Sequence, residues 1–319
     1  MAAQQTQHAR RLIRTPPLYL LGTALLFHGV FTFTLFHTGK AIADPDFPKP
    51  LIEHYQELQT ELSQSVFGSP IVLRSDTSKH HAEGEVFAVL DTPIAELQAL
   101  LSQPRHWCEL AILHINVKTC TFRSKQNKEK LTFYVGRQYY QEPSQAYPLE
   151  YHFEKLENSN HHLYVNLTSV DGPFGTHDYL ISLEAVPIDE QHSFIRFQYR
   201  YHFGWLARVA MSTYLSTIAR HKVGFTVIGT DIAGNPDYVK GMQGVVERNA
   251  IRYIYAIQAM LDTSKLPADE RQQQGFARWY TLISRHPRQL VEYTQEEYFE
   301  RKKEELKNQL VLQKDSKNK

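Results

Sequence analysis

A run of five strand patterns between residues 131 and 203 constrains the fold more than any other part of this chain. In the last pattern, over 193–203, apolar and polar residues alternate strictly. The apolar set is Ile195, Phe197, Tyr199, Tyr201 and Phe203, and the polar set is Arg196, Gln198, Arg200 and His202. This period of two predicts a strand with one buried face. The other patterns cover 131–140, 149–156, 163–169 and 179–186, and long strands joined by short turns predict an antiparallel meander.

A long apolar helix pattern follows over residues 238–261, and a shorter helix is predicted before it over 204–219. The stripe of the long helix repeats at helical spacing and consists of Met242, Val246, Ala250, Tyr253, Ile257 and Met260. Such a helix is too apolar for a surface position, so we expect it to pack against the sheet. We therefore predict the α+β class, with a curved antiparallel β-sheet wrapped around a long C-terminal helix.

The segment 86–120, VFAVLDTPIAELQALLSQPRHWCELAILHINVKTC, carries a second informative pattern. A strand leads to a helix start, where we expect Thr92 to cap the helix and Pro93 to occupy its first position. A leucine stripe follows, then a break from Pro104 to Trp107, and then another strand over 113–122.

This order of elements resembles the opening of the START-like (SRPBCC) superfamily. The apolar helix around residues 241–261 stands where that superfamily has its grip helix, and the resemblance covers residues 84–262. It implies a helix-grip fold whose internal cavity binds a hydrophobic or amphipathic small molecule, such as a lipid, without chemistry.

The candidate pocket lies between the aromatic face of the last strand and the long helix, a combination that forms an apolar pocket with few polar groups. Its predicted residues are Phe197, Tyr199, Tyr201, Val246, Asn249, Ala250, Tyr253 and Ile257. One alternative is that these residues fill a solid core. Another, for Asn249, is that its amide hydrogen-bonds a strand carbonyl rather than a ligand.

Two other functions stay open on the sequence alone. An enzyme of the same fold, cyclase- or hydrolase-like, would use acid–base residues in the pocket, whereas an envelope interaction protein would dock a partner on its charged C-terminal helix. His177 beside Asp178 invites the acid–base interpretation, although a turn with satisfied side chains also explains the pair. For Arg248 and Arg252 we expect a solvated or salt-bridged helix face.

We assign no catalytic residue, no metal ligand and no cofactor. The sequence has no G-x-S-x-G, H-E-x-x-H, P-loop or dinucleotide motif. The histidine pairs at 80–81 and 161–162 have no third ligand at metal spacing, so we interpret them as surface residues.

The first 43 residues contain no Asp or Glu and have the three parts of a secretory signal peptide. The basic part consists of Arg10, Arg11 and Arg14, the apolar run covers 18–36, and the small-x-small site is Ala41-Ile42-Ala43. We expect cleavage after Ala43 and an exported protein, either periplasmic or associated with the envelope. Because the apolar run approaches the ~20 residues that span a bilayer, an uncleaved anchor is the alternative. Both alternatives place the globular part outside the cytoplasm, since the arginines stay on the cytoplasmic side, and we expect it close to a membrane.

Cleavage would leave 276 of the 319 residues, with 31 Lys and Arg against 34 Asp and Glu. A nucleic-acid partner requires a basic face, so we expect none. We divide the chain into the signal or anchor (1–43), an N-terminal amphipathic helix (44–70), a START-like domain (71–262) and a helical extension with a polar tail (263–319). Nothing in the sequence indicates an oligomeric state.

The chain has two cysteines, Cys108 and Cys120, and an even pair in an exported protein predicts a disulfide. A bridge over so short a loop contributes ~3 kcal/mol in the chain-entropy model. The alternatives are a nucleophilic cysteine, which needs a histidine such as His106 or His114 in contact with it, and a metal site, which needs more ligands.

Overall fold

The computed structural model describes residues 50–126, 128–137, 139–217 and 221–317. Residues 48–319 form one compact unit. The predicted signal over 1–43, with its alternative as an anchor, lies outside the described residues and stays a prediction. Within the described ranges, no helix combines the length and the apolar character that crossing a membrane requires.

Eight of the strands form one antiparallel sheet. Their bounds are β1 Ile71–Thr77, β2 His81–Leu90, β3 Val117–Lys125, β4 Lys128–Val135, β5 Tyr147–Ser159, β6 His162–Asp171, β7 Thr176–Pro187 and β8 Ser193–Phe203. The order across the sheet is β1-β2-β8-β7-β6-β5-β4-β3, so β1 and β3 are edges and the sheet does not close into a barrel. The predicted meander is confirmed, since β4 to β8 are neighbours in chain order. A separate hairpin joins β9 Val227–Thr230 to β10 Pro236–Tyr238.

Nine helices accompany the sheet in the described part of the chain. Their bounds are α1 Leu51–Glu57, α2 Gln59–Ser63, α3 Ile94–Leu101, α4 Pro104–Ala111, α5 Trp205–Thr217, α6 Gly241–Thr263, α7 Ala268–Ile283, α8 Pro287–Leu290 and α9 Gln295–Lys317. The predicted N-terminal helix is thus two short helices that meet at Leu58. The α+β class is confirmed.

The long helix α6 packs on β1, β2 and β8, on the face of the sheet that we call the inner face. Gly84 on β2 allows the closest approach: a Cβ there would lie 2.9 Å from the carbonyl oxygen of Val246 and 3.2 Å from the Cβ of Ala250. No side chain fits between helix and strand at this point, which explains a glycine inside a strand. The contact fixes the depth at which α6 lies against the sheet.

The alternation of β8 is confirmed: Phe197 and Tyr201 are buried on the inner face, and Arg196 lies on the outer face. There the Nε of Arg196 donates to Glu85 on β2 at 2.5 Å. Beside this pair on the outer face, α1 and α2 cover a small apolar cluster around Phe87 and Phe194. Both faces of the sheet are therefore covered where these helices lie on β1, β2 and β8. The neighbouring part of the outer face carries the ion pair between Arg196 and Glu85.

The helix start after β2 differs from the sequence prediction. Pro93 rather than Thr92 is the N-cap of α3, and no side chain caps it. Thr92 is buried, and its carbonyl accepts a hydrogen bond from Ser193 at 2.7 Å, so the start of the helix is tied to β8 instead. The break at Pro104 begins α4, where the indole of Trp107 donates to the carbonyl of Leu101 at 2.7 Å.

The predicted disulfide between Cys108 and Cys120 is present and joins α4 to β3. Both cysteines are buried in the main core. The bridge therefore fixes the helix pair α3–α4 against the edge strand.

The C-terminal helix α9 covers this edge strand. Gln309 accepts a hydrogen bond from the backbone N–H of Cys120 at 2.8 Å. Gln313 accepts from the N–H of Phe122 at 2.8 Å and donates to its carbonyl at 2.9 Å. These side chains satisfy backbone groups that a ninth strand would otherwise pair.

Candidate functional site

A cavity of about 240 Å³ lies between the inner face of the sheet and the helices α5 and α6. Strands β4, β5, β7 and β8 supply one wall, and α6 supplies the opposite wall. The lining residues are His114, Asn116, Val117, Phe133, Val135, Gly136, Leu149, Tyr151, Pro173, Phe174, Thr176, Tyr179, Tyr199, Tyr201, Met211, Val245, Asn249 and Tyr253. Among the described residues that line it, none is an acid, a lysine or an arginine.

Five tyrosines define the chemistry of the cavity: Tyr151, Tyr179, Tyr199, Tyr201 and Tyr253. The rings of Tyr179 and Tyr201 stack at 5.1 Å, and the rings of Tyr199 and Tyr253 lie 5.8 Å apart. Burial raises the pKa of Tyr179 to about 12. Burial also raises the pKa values of the other four tyrosines. All five phenols therefore stay protonated at neutral pH and can donate as well as accept hydrogen bonds.

His114 is the one lining residue whose ordinary pKa lies near neutrality. It is buried, stacks on Tyr253 with the ring centroids 4.9 Å apart, and accepts the backbone N–H of Asn116 on Nδ1 at 3.2 Å. Burial, and then the charge of Arg252, lower its pKa well below 6.5, although the amide of Asn249 acts in the opposite direction. The ring is therefore neutral, with its proton on Nε2 because Nδ1 accepts.

The Nε2 atom is buried, and the Asn249 amide, which raises the pKa of the ring, does not reach it at full hydrogen-bonding geometry. A buried donor that is so weakly paired is costly. An acceptor atom of a small molecule in the cavity would remove that cost.

The cavity meets the surface at the loop before β7 and at α5. Phe174 lines the cavity and is 80% exposed, so it marks the opening. It adopts φ 59°, between Gly172 and Gly175, and Thr176 bonds back to the carbonyl of Pro173 within the same loop. Met211 of α5 closes the opposite side.

The predicted pocket residues occupy two different places. Tyr199, Tyr201, Asn249 and Tyr253 line the cavity. Phe197, Val246, Ala250 and Ile257 are buried in the core beside it and are absent from the described lining. Whether either group binds a ligand stays a prediction.

The sequence reasoning missed His114, Tyr151 and Tyr179 as cavity residues. The alternation of β5 and β7 held a signal, since Tyr151 and Tyr179 occupy their inward positions. No pattern marked His114, because it lies in the turn between α4 and β3, where the sequence predicted a strand.

The other titratable candidates lie away from the cavity lining. His177 and Asp178 pair at 2.8 Å, but both side chains are exposed. For Arg248 and Arg252 we predicted a solvated or salt-bridged face: both are buried, so the solvated alternative is wrong, while the salt-bridged one is confirmed for Arg252. Arg248 donates to the carbonyl of Val223 at 3.1 Å, and Arg252 pairs with Glu292 at 2.7 Å, so both anchor α6 to the following segments. No group of three or more His, Cys, Asp or Glu side chains in the described ranges is placed to hold a metal ion.

No family model matches the sequence, and no curated protein matches it. Among solved structures, the chain is similar to a conserved protein from Geobacillus kaustophilus, with 14% identity over 57% of this chain and 96% of that one, at a TM-score of 0.34. It is similar to truncated norcoclaurine synthase from Thalictrum flavum, with 14% identity over 46% and 90%, at 0.30. It is also similar to human StAR-related lipid transfer protein 5, with 9% identity over 53% and 87%, at 0.29. Likenesses at these TM-scores establish neither a shared fold nor a shared ligand.

Proposed function

We propose that this protein is an exported START-like binding protein with a helix-grip fold, which holds one hydrophobic or amphipathic small molecule in the cavity against α6 and carries out no chemistry on it. The observation that carries the proposal is the cavity itself. The aromatic face of β8 and the long helix do not meet everywhere, and the space between them is lined by phenols and apolar side chains. The solid-core alternative does not account for that space.

The size of the cavity limits the ligand. Its volume of about 240 Å³ exceeds that of an engineered cavity of ~150 Å³ that takes benzene. It falls below the ~300–1,000 Å³ of pockets for drug-sized ligands. The cavity therefore fits one or two rings or part of one acyl chain, and the remainder of a larger ligand passes the opening at Phe174.

The lining favours a neutral ligand. A charged group inside the cavity would have no counter-charge among the described lining residues, and burying an unpaired charge is costly. The phenol groups and the Nε2 proton of His114 instead suit a carbonyl or hydroxyl oxygen. Aromatic rings stack well on the tyrosines.

A second candidate function is acid–base chemistry in the same cavity, because the buried neutral imidazole of His114 is able to accept a proton from a bound substrate. Such a role would need Nδ1 to exchange its bond to Asn116 for the substrate proton. The tyrosines, whose pKa values are raised, are weak acids, and His114, whose pKa is lowered, is a weak base, so neither has a pKa matched to proton transfer near neutral pH.

Binding of the neutral fluorophore N-phenyl-1-naphthylamine tests the proposal. We expect saturable fluorescence enhancement that Val245→Trp abolishes, since Val245 lines the cavity and tryptophan there fills it. The matched control is Val66→Trp, because Val66 is exposed and lies outside the lining. Equal enhancement in both variants would show that the probe binds the surface, and the proposal would then be wrong.

A further inference from the structure

Helix α5 forms part of the cavity wall, but few of its side chains are packed against the rest of the protein. Its contacts are mainly with α6 and with the loop over 173–175. Met211 lines the cavity and is partly buried, and Ala207 is the one buried residue among the α5 side chains that the structure describes. Because packing supplies most of the stability of a short helix in a protein, so little burial makes α5 a low-stability element.

The backbone of α5 is held at its two ends but not along its length. On the N-terminal side, Phe203 is buried, and its N–H donates to the carbonyl of His80 at 2.8 Å. On the C-terminal side, Val223 is buried, and its carbonyl accepts a hydrogen bond from Arg248 at 3.1 Å. Over 205–217, no backbone–backbone hydrogen bond in the described part of the chain joins α5 to the sheet or to α6. A movement of α5 as one body therefore leaves these anchoring hydrogen bonds intact.

Gly204 is placed to act as the hinge between β8 and α5. It is exposed, and a Cβ at this position would meet no heavy atom within 4 Å beyond its chain neighbours. Hinges are a few residues at the ends of elements that absorb changes in φ and ψ. Since Gly204 lies between the buried Phe203 and the helix, rotation there carries Met211 away from the cavity while β8 stays in place.

The loop that faces α5 is braced and provides the fixed side of the opening. The N–H of Gly172 donates to the carbonyl of Thr176 at 2.8 Å, and the Thr176 hydroxyl bonds to the carbonyl of Pro173. Phe174 adopts a φ of 59°, and Gly175 follows at 77°. A positive φ is uncommon outside glycine, and such backbone persists where its surroundings hold it, often at ligand clamps and switch regions.

We propose that α5 is a lid on the cavity, which lifts from the loop over 173–175 by rotation at Gly204. Lifting removes Met211 from the wall and widens the opening beside Phe174, so that an apolar ligand passes between the helix and the loop. The admission of a ligand rests on the proposed function, whereas the movement of α5 depends on no ligand.

Thiol labelling measures this movement without a ligand. Ala207→Cys places a thiol under the closed helix, and the matched control Ala185→Cys places one on β7, where the alanine is also buried. The two native cysteines form a disulfide, so each variant has a single free thiol. A maleimide should modify Ala207→Cys about tenfold or more faster than Ala185→Cys, because a low-stability element opens more often than the sheet unfolds. Low concentrations of urea should accelerate the control but not Ala207→Cys, since lifting a helix exposes less surface than unfolding.

An engineered disulfide tests whether the movement admits a ligand. The Cβ of Ala207 lies 3.9 Å from where a Cβ of Gly175 would lie, within the ~3.5–4.5 Å that a disulfide requires. The oxidised double variant Gly175→Cys/Ala207→Cys should therefore take up N-phenyl-1-naphthylamine about tenfold or more slowly than the parent, and a reductant should restore the rate. Gly175→Cys alone, and the parent with the same reductant, are the controls and should bind at the rate of the parent.

The two experiments separate the lid from the proposed function. Equal labelling rates of Ala207→Cys and Ala185→Cys would overturn the lid, even if the probe binds normally. Unchanged uptake in the oxidised double variant would show that α5 does not admit the ligand, and the lid would again be wrong. Rapid labelling together with no probe binding in the parent would refute the proposed function and leave the movement of α5 established. If Gly175→Cys itself disturbs the loop, the labelling rates decide alone.

Discussion

Replacement of Gln309 by leucine should destabilise the protein through the edge of its sheet. Gln309 is nearly buried and is the acceptor for the backbone N–H of Cys120, which is also buried. Leucine is similar in size but has no acceptor, so the variant leaves a buried N–H unsatisfied. That costs ~1–3 kcal/mol. For a domain of this size, a loss of about 2 kcal/mol lowers Tm by roughly 4–8 °C.

Gln313→Leu should act on the same edge. It removes two hydrogen bonds to Phe122, each worth ~0.5–1.5 kcal/mol at this half-buried position. In the double variant, the two losses should add if the C-terminal part of α9 stays docked. If this part of α9 already detaches in a single variant, the double variant should lose no more stability than that variant. The loss then equals the free energy of docking this part of α9.

Urea unfolding and amide hydrogen exchange at Cys120 and Phe122 measure both effects. Gln295→Leu, at an exposed position of the same helix, is the control and should stay within ~0.5 kcal/mol of the parent. Variants at Gln309 and Gln313 that match this control in stability and in exchange rate would refute the reasoning that α9 protects the edge of β3.

Three further predictions concern the core, the pH dependence and the disulfide. Val245→Trp should keep the protein folded, because the tryptophan fills existing space. Ala250→Trp should unfold the protein or cost well over ~1–3 kcal/mol, because α6 contacts β2 at this residue. Equal thermal stability of the two variants would contradict the presence of a cavity beside Val245. Burial lowers the pKa of Lys118 from 10.5 to about 8, so the unfolded chain binds more protons between these values. The free energy of unfolding of the parent minus that of Lys118→Met should therefore rise between pH 8 and pH 10.5 and be flat below, and a difference independent of pH would show that this lysine keeps its ordinary pKa. Replacing Cys108 and Cys120 together by serine should lower the free energy of unfolding by ~3 kcal/mol in denaturant titrations, and an unchanged midpoint would exclude a stabilising bridge.

The sheet was predictable because its signal is local. Each strand from β4 to β8 alternates along its own sequence, and Phe197 and Tyr201 occupy the inward positions that this alternation predicts. The stripe on α6 likewise predicted buried positions such as Val246 and Ala250, but it did not predict that nearly every side of the helix is buried from residue 246 to residue 257. The cap of α3 was not predictable in the same way, since the partner of Thr92 is Ser193, on a strand far along the chain.

The cavity was only half predictable. A sequence pattern identifies which side chains point inward, but a cavity forms where inward side chains of the sheet and the helix do not meet. The position of that gap depends on Gly84, which allows α6 to lie close to β2 at one place. Ala250, beside Gly84, is consequently in contact, while Val245 faces the open space. The docking of α9 also gave no clear hydropathy signal, because many of its contacts with β3 are polar and are made by Gln309, Gln313 and Lys302.

Native mass spectrometry of the protein purified from the cells that produce it tests the central claim most directly. The account predicts a co-purifying small molecule that is neutral, apolar or amphipathic, bound in a one-to-one ratio and absent from Val245→Trp. Protein that carries no such molecule, together with failure of the parent to bind N-phenyl-1-naphthylamine, would contradict the claim that the cavity is a binding site.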